Sequence, residues 1–519
     1  MKIVFTDESA SLEPPNPRRD RSSGVPSLPE HVLDRHRARV LRPGDAPVAA
    51  GTPTPDGTVY RYQRLLMCHR LLGDTGRLAA LDDVLTGHGL RIDRSRIADR
   101  PAARMHRAEL GAAGTRPTRV DAWTVLQTVR AAVENGDCDR GVGNGLRLEH
   151  LLVAAKGGGP SAGTPGGGGP GGPYPSYPDR FPVEFAAPMP TRRPVAAMPG
   201  GRRPVIAVLD TGIAPGHPAL DVSDRSEGRD TFVSVDTELQ KTITIDSDPE
   251  GPPLDTPWDT LVTDESLLGE VSSHFGHGTF IAGLIRQIAP DARVRSIRVM
   301  HDDGLVYEHE CIHALSLLAD EVERARAGDE SADPVDLITL SFGFVDEDPY
   351  DQPSAGLMRV VERLARLGVG VVAAAGNQAT RRPFYPAALA AEDLGESAAP
   401  ILSVAALNPN GTVAMFSNEG SWVNCYATGA GLVSTFPTFA SGSRSPDRQS
   451  AGLRRRREGF DADDFSSGFA VWNGTSFAAP VAAAGVTAAM LRLPGVDLSD
   501  RSAEAAAGRL TGAIRVLKG

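Results

Sequence analysis

Between Val205 and Ala405 the chain passes through five short segments rich in Val and Ile: Val205–Leu209, Val294–Val299, Leu337–Leu340, Gly370–Ala375 and Ile401–Ala405. Apolar residues at helical spacing fill the intervals His277–Gln287, Glu308–Arg326 and Ala355–Leu367. A strand with almost no polar face must be covered on both sides, which calls for a parallel sheet between layers of helix. The fold class is therefore α/β, a sandwich with a central, mostly parallel sheet. In such folds ligands lie at the carboxyl ends of the strands, so the residues that end these runs come first.

The remaining sequence is organised differently. A chain of 519 residues calls for about two or three domains. Residues 1–56 are rich in Pro, Arg, Asp and Ser, lack apolar periodicity, and are expected to be largely disordered. Residues 57–155 read as a small α+β domain: a strand over Val59–Met67, a helix over Leu78–Leu85, a strand at Leu90–Ile92, a helix over Val120–Val133, and a last strand or helix over Leu146–Ala155. The Gly/Pro run 156–178 cannot bury enough surface to fold and marks a linker, carried to residue 199. Residues 200–519 form the main domain. The net charge of −11 argues against binding nucleic acid through bulk charge. Cys68, Cys138, Cys311 and Cys425 are far apart and read as separate thiols. The start lacks the apolar stretch of a secretory signal, and no apolar run is long enough for a membrane span. The expected compartment is the cytoplasm, with an unusual export route left open.

Four motifs sit where chemistry is expected. Asp210-Thr211-Gly212 ends the first strand. A second D-T-G at Asp74 raises the alternative of a paired-aspartate site, but Asp74 precedes a helical stretch and reads as a helix-capping turn. His277-Gly278-Thr279 opens a helix whose small residues Gly278, Ala282 and Gly283 suit close packing. Ala375-Gly376-Asn377 ends a strand in a turn that places a side-chain amide at the same edge. Gly474-Thr475-Ser476 precedes a small-residue helix, whose N-terminal N–H groups favour a developing negative charge. Each has a plain alternative: a structural histidine, a conformational turn, an N-cap serine.

Taken together, VIAVLDTGI, HGTFIAG, AAAGN and NGTSFAAP occur in one order, Asp then His then Ser, over residues 200–515. This resembles the subtilisin-like (subtilase) family of serine peptidases. The resemblance implies a subtilisin-like three-layer sandwich, a catalytic triad of Asp210, His277 and Ser476, and Asn377 as an oxyanion donor. It also implies that Ser341, Phe342 and Gly343, with Ala375 and Gly376, line an extended polypeptide substrate bound by strand addition.

Departures are local. Gly216 precedes His217-Pro218 where many members carry Asp, Phe280 replaces a second His, and Thr428 replaces Pro before Gly429. Residues 221–270 hold 14 acidic and 3 basic residues and read first as a solvated insertion. The same stretch leaves room for structural calcium, with no ligands assigned, or for an acidic rim favouring basic substrates. No cofactor is required for the implied chemistry. The basic run Arg454–Arg457 reads as an exposed loop or a self-cleavage site. The family resemblance allows residues 57–155 to be an N-terminal propeptide, joined by a linker cleaved between Lys156 and Gly200, with a retained regulatory or partner-binding domain as the alternative. The alternatives for the whole chain are a catalytically silent subtilase-like binding protein, and an esterase or transpeptidase using the same triad.

Overall fold

The computed structural model describes residues 1–6, 24–50, 52–94, 105–114, 119–155, 180–184, 187–244, 252–259, 272–348, 355–439, 449–450, 455, 457–458 and 465–519. In the N-terminal third the strands are β1 (Ile3–Phe5), β2 (Ala38–Leu41), β3 (Thr58–Cys68), β4 (Leu90–Asp93), β5 (Met105–Ala112) and β6 (Leu146–Ala154). Then follow β7 (Phe181–Pro182), β8 (Val205–Asp210), β9 (Val222–Asp224), β10 (Val233–Val235), β11 (Arg293–Arg298) and β12 (Leu305–Tyr307). Next come β13 (Leu337–Leu340), β14 (Phe342–Gly343), β15 (Gly370–Ala374), β16 (Ile401–Leu407) and β17 (Cys425–Thr428). The helices are α1 (Glu30–Arg35), α2 (His69–Leu72), α3 (Thr75–Gly87), α4 (Ala122–Asn135), α5 (Arg140–Gly143), α6 (Thr237–Thr244), α7 (His277–Ile288), α8 (Glu308–Arg326), α9 (Ala355–Arg366), α10 (Thr475–Met490) and α11 (Ala503–Lys518).

The main sheet has the order β1-β17-β16-β15-β13-β8-β11-β10-β9. Every pairing in it is parallel except β1 with β17. All residues of β8, β13, β15 and β16 are buried, so both faces of the sheet centre are covered. β15 packs against both α9 and α10, and α10 packs on α7 and α11. The five Val/Ile runs thus become adjacent or near-adjacent strands, and the carboxyl ends of β8, β13 and β15 lie side by side.

The second sheet is antiparallel, with β3, α3, β4, β5, α4 and β6 following in β-α-β-β-α-β order and the strands lying β6-β3-β5-β4. Asp74 caps α3, its carboxylate accepting from Arg77 N at 3.0 Å. Leu146–Ala154 is a strand, and it does two things. Its first half pairs with β3; its second half extends the sheet by pairing with β12 and β14.

Three sequence expectations need correction. Residues 1–56, expected to be largely disordered, supply β1, α1 and β2, while residues 7–23 and 51 lie outside the described residues. β1 joins the main sheet because the edge of β17 offers unpaired backbone groups: Lys2 N donates to Thr428 Oγ1 at 2.9 Å and Thr428 N to Lys2 O at 3.0 Å. The linker ends early. Residues 156–179 are outside the described residues, but the buried Arg180 guanidinium donates to the carbonyls of Ser272 and Ser273 at 2.9 and 2.8 Å. The acidic stretch 221–270 is not simply a solvated loop, since it provides β9, β10 and α6; residues 245–251 and 260–270 of it lie outside the described residues, as do Arg454 and Arg456. No described helix is long and apolar enough to cross a membrane.

Candidate active site

Asp210 is the last residue of β8, and α7 is drawn tightly against the turn that follows it. A Cβ at Gly278 would lie 2.2 Å from the carbonyl of Gly212, so only glycine allows this approach. Gly278 N donates to Thr211 Oγ1 at 3.0 Å. The two contacts fix His277, the first residue of α7, over Asp210. His277 Nδ1 donates to Asp210 Oδ1 at 2.7 Å, and the same oxygen accepts from Thr211 N at 2.8 Å. Both side chains are buried.

Gly474 is the N-cap of α10, so Ser476 stands second in the helix and is not the cap. Thr475 links this helix start to the end of β15. Its Oγ1 accepts from Gly376 N at 3.0 Å and donates to Asn377 Oδ1 at 2.9 Å, while Thr475 N also donates to Asn377 Oδ1 at 3.0 Å. With its oxygen engaged twice, Asn377 keeps Nδ2 buried and without an acceptor among the described residues. Gly376 has φ of 96°, and a Cβ there would meet Asn418 Nδ2 at 2.3 Å. Ala375 and Gly376 hydrogen-bond to Val404, Asn418 and Thr475; none of these bonds reaches β6.

Ser476 lies under a strand of the chain itself. Ser476 N donates to the carbonyl of Ala155 at 3.0 Å, and Ala155 N donates to the carbonyl of Ser341 at 2.9 Å. The pairing continues away from Ser476: Ala154 opposite Phe342 and Val153 opposite Gly343 on one side, Val153 opposite Leu305 and Leu151 opposite Tyr307 on the other. β6 therefore occupies a cleft between β14 and β12. Phe342 and Gly343 pair with β6, and Ser341 O accepts from Ala155 N. β12 was not foreseen as the opposite wall, because Leu-Val-Tyr is too short a run to signal a strand. Ser476 Oγ donates to Ser341 O at 3.1 Å, and Ser341 Oγ donates to Ser476 O at 2.8 Å. No hydrogen bond joins Ser476 to His277, whose buried Nε2 has no partner among the described residues.

The surroundings are charged and tightly held. Asp259 is buried beside the site, accepts from Thr279 Oγ1 at 3.2 Å, and is pushed up to about 8 by burial and by the nearby Asp210 carboxylate, against Arg298. It thus holds a proton at neutral pH. In sequence Asp259 is one of 14 acidic residues in 221–270, and its neighbour Trp258 is the one local sign of burial. Within the described part of that insertion Asp230 is bound by Arg203 at 2.7 Å, Asp236 by Arg295 at 3.2 Å, and Asp224 accepts from Thr237 Oγ1 at 2.6 Å. These carboxylates point to separate partners and do not form a calcium cage. Among the described residues the one group close enough to hold a metal is His150, Asp346 and Glu347, in the cleft.

Residues 201–507 match the Subtilase family. The chain is 29% identical over 252 residues to a thermophilic serine proteinase of Bacillus sp. (strain AK1), covering 48% of this chain and 50% of that protein. It is 30% identical over 177 residues to subtilisin BL of Lederbergia lenta, covering 32% and 56%. With thermitase of Thermoactinomyces vulgaris the identity is 26% over 250 residues, covering 46% and 68%. The chain thus spans about half the length of the first two relatives.

Proposed function

Since the chain belongs to the subtilase family, we propose that it is a serine endopeptidase acting through Asp210, His277 and Ser476, and that its first substrate is its own Ala155–Lys156 bond. One observation carries this reading: the Ala155 carbonyl accepts the Ser476 amide proton at 3.0 Å, at the end of a strand paired on both edges in the cleft. A helix N-terminus that holds a peptide carbonyl beside a serine hydroxyl is arranged for attack on that carbonyl.

The steps follow from the chemistry of each group. The Ser476 hydroxyl turns from Ser341 O to His277 Nε2 and attacks the Ala155 carbonyl carbon as Nε2 takes its proton. Asp210, bonded to Nδ1, holds the tautomer and stabilises the imidazolium. The carbonyl oxygen becomes an oxyanion, held by Ser476 N–H and by Asn377 Nδ2. The tetrahedral intermediate collapses, the bond to Lys156 N breaks, and His277 protonates the leaving amine. Water then attacks the Ala155 ester, again with His277 as base, and releases the Ala155 carboxylate. The cleaved bond lies one residue upstream of the interval indicated by the linker composition. Calcium and other cofactors have no part in these steps.

The test compares intact masses and N-termini of the purified wild-type chain and Ser476→Ala. The expected result is a new N-terminus at Lys156 in the wild type alone, with a fluorophosphonate adduct mapping to Ser476. Identical full-length masses would reject self-processing, and absence of adduct on Ser476 would favour a silent binding protein.

A further inference from the structure

Both walls of the cleft run on from their pairing with β6 into carboxylates. β12 pairs Tyr307 with Leu151 and leads directly into Glu308, the first residue of α8. β14 leads through Phe344 and Val345 to Asp346 and Glu347. These groups converge on His150, five residues before Ala155. His150 Nδ1 lies 2.7 Å from Glu308 Oε2, and Nε2 lies 2.6 Å from Glu347 Oε2. Glu308 Oε2 also accepts His150 N at 3.1 Å, and the Phe344 ring stacks on the imidazole with centroids 4.3 Å apart. All four ionisable side chains are buried.

An imidazole with a carboxylate on each nitrogen must donate from both, so it is a cation. Burial opposes this charge, but Glu347 and Glu308 hold His150 protonated well above the usual histidine range. Glu347 in turn is held low by His150, while Asp346 is raised by burial and by Glu347. The doubly bonded imidazolium accounts for the cluster without a metal ion. The preceding residue, Glu149, faces Arg61 of the N-terminal sheet at 3.6 Å, as the two-residue period of a strand requires. His150 thus faces the peptidase wall at a register set by the cleaved bond.

Resting on the peptidase reading and extending it, we propose that Glu308 and Glu347 form a specificity pocket for a cationic side chain at the sixth residue upstream of the cleaved bond. Its polypeptide substrates carry His, Lys or Arg at that position, and β6 fills the pocket with His150.

Two measurements test this. The first needs no catalysis: hydrogen–deuterium exchange of residues 146–155 in the full-length Ser476→Ala chain. His150→Arg keeps the protection, His150→Glu exchanges about tenfold faster or more, and β8 and α10 stay protected in each as the control for folding. Equal protection of His150→Glu and the parent, or equal loss in His150→Arg and His150→Glu, overturns the pocket. The second measures kcat/KM of the wild-type chain on peptides spanning residues 146–160 that differ only at the His150 position. Lys or Arg is favoured over Glu about tenfold or more, and the preference is lost in the Glu308→Gln, Glu347→Gln double variant. Equal cleavage of all peptides overturns the pocket and leaves the peptidase reading standing. Failure to cleave any peptide, with Ser476 unlabelled, counts against the peptidase reading, and the exchange result then decides the pocket. Protection that depends on added divalent metal would replace the cation pocket by a metal site.

Discussion

Ser341 and Ser476 exchange hydrogen bonds: each hydroxyl donates to the other's backbone carbonyl, at 2.8 and 3.1 Å. The Ser476 hydroxyl is thereby turned from His277 while Ala155 sits on its amide. On the proposed reading, an outside reagent must first displace β6. Leu152, buried in the core and paired opposite Val306, is the residue whose loss should unseat the strand. Leu152→Asp should raise the rate of fluorophosphonate labelling of the uncleaved chain about tenfold, because a buried charge without a partner is costly, and should slow cleavage at Lys156. Intact-mass spectrometry separates the two rates; unchanged labelling would show that β6 does not guard the serine.

Asn377 is held by two bonds from Thr475 to its Oδ1, which leaves Nδ2 uncommitted. Asn377→Ala should lower kcat about 10²–10³-fold with little change in KM, the cost of one oxyanion donor. Peptide-hydrolysis kinetics check this. A loss confined to KM would make the residue a binding contact.

β1 is the antiparallel edge of an otherwise parallel sheet, and Ile3 Cδ1 lies where a side chain at Gly485 would be, 2.2 Å from its ideal Cβ. Removing residues 1–6 from the Ser476→Ala chain should cost about 1–3 kcal/mol through the lost burial of Ile3 and Phe5, and should lower Tm by a few degrees. Gly485→Ala should act in the same direction by displacing Ile3. Calorimetry distinguishes this from an edge strand that contributes nothing.

Asp259 should penalise the folded chain at neutral and alkaline pH. Its folded value is raised from 3.8 to about 8, chiefly by burial, so folding takes up a proton between those two values. Stability is free of this penalty below about pH 4, falls through the window up to about pH 8, and stays reduced above it. Asp259→Asn, whose amide oxygen still accepts from Thr279, should raise Tm at pH 7–9 and leave it unchanged at pH 4. Melting curves across that range decide the point; equal shifts at both ends would mean that ionisation is not the cause.

The positions of the motif residues were legible because each belongs to a short local pattern tied to one strand end or helix start. Asp210 ends β8, His277 opens α7, and Asn377 follows β15 as their motifs imply. The Val/Ile runs were legible as strands because burial on both faces leaves a continuous apolar signature. Asp259 was not, since a carboxylate in an acid-rich stretch carries no sign that folding will bury it. Glu308 and Glu347 were equally hidden: 38 residues separate them from each other, and His150 lies far from both in sequence.

Sequence alone determined the order of Asp, His and Ser motifs, the parallel sheet and the family resemblance, because periodicity and turn chemistry act over a few residues. Only the tertiary structure decided that Ile3–Phe5 joins the main sheet and that Leu146–Ala155 enters the cleft. A strand's own pattern says which of its faces are apolar. Which edges it meets depends on where distant segments leave backbone N–H and C=O groups unpaired.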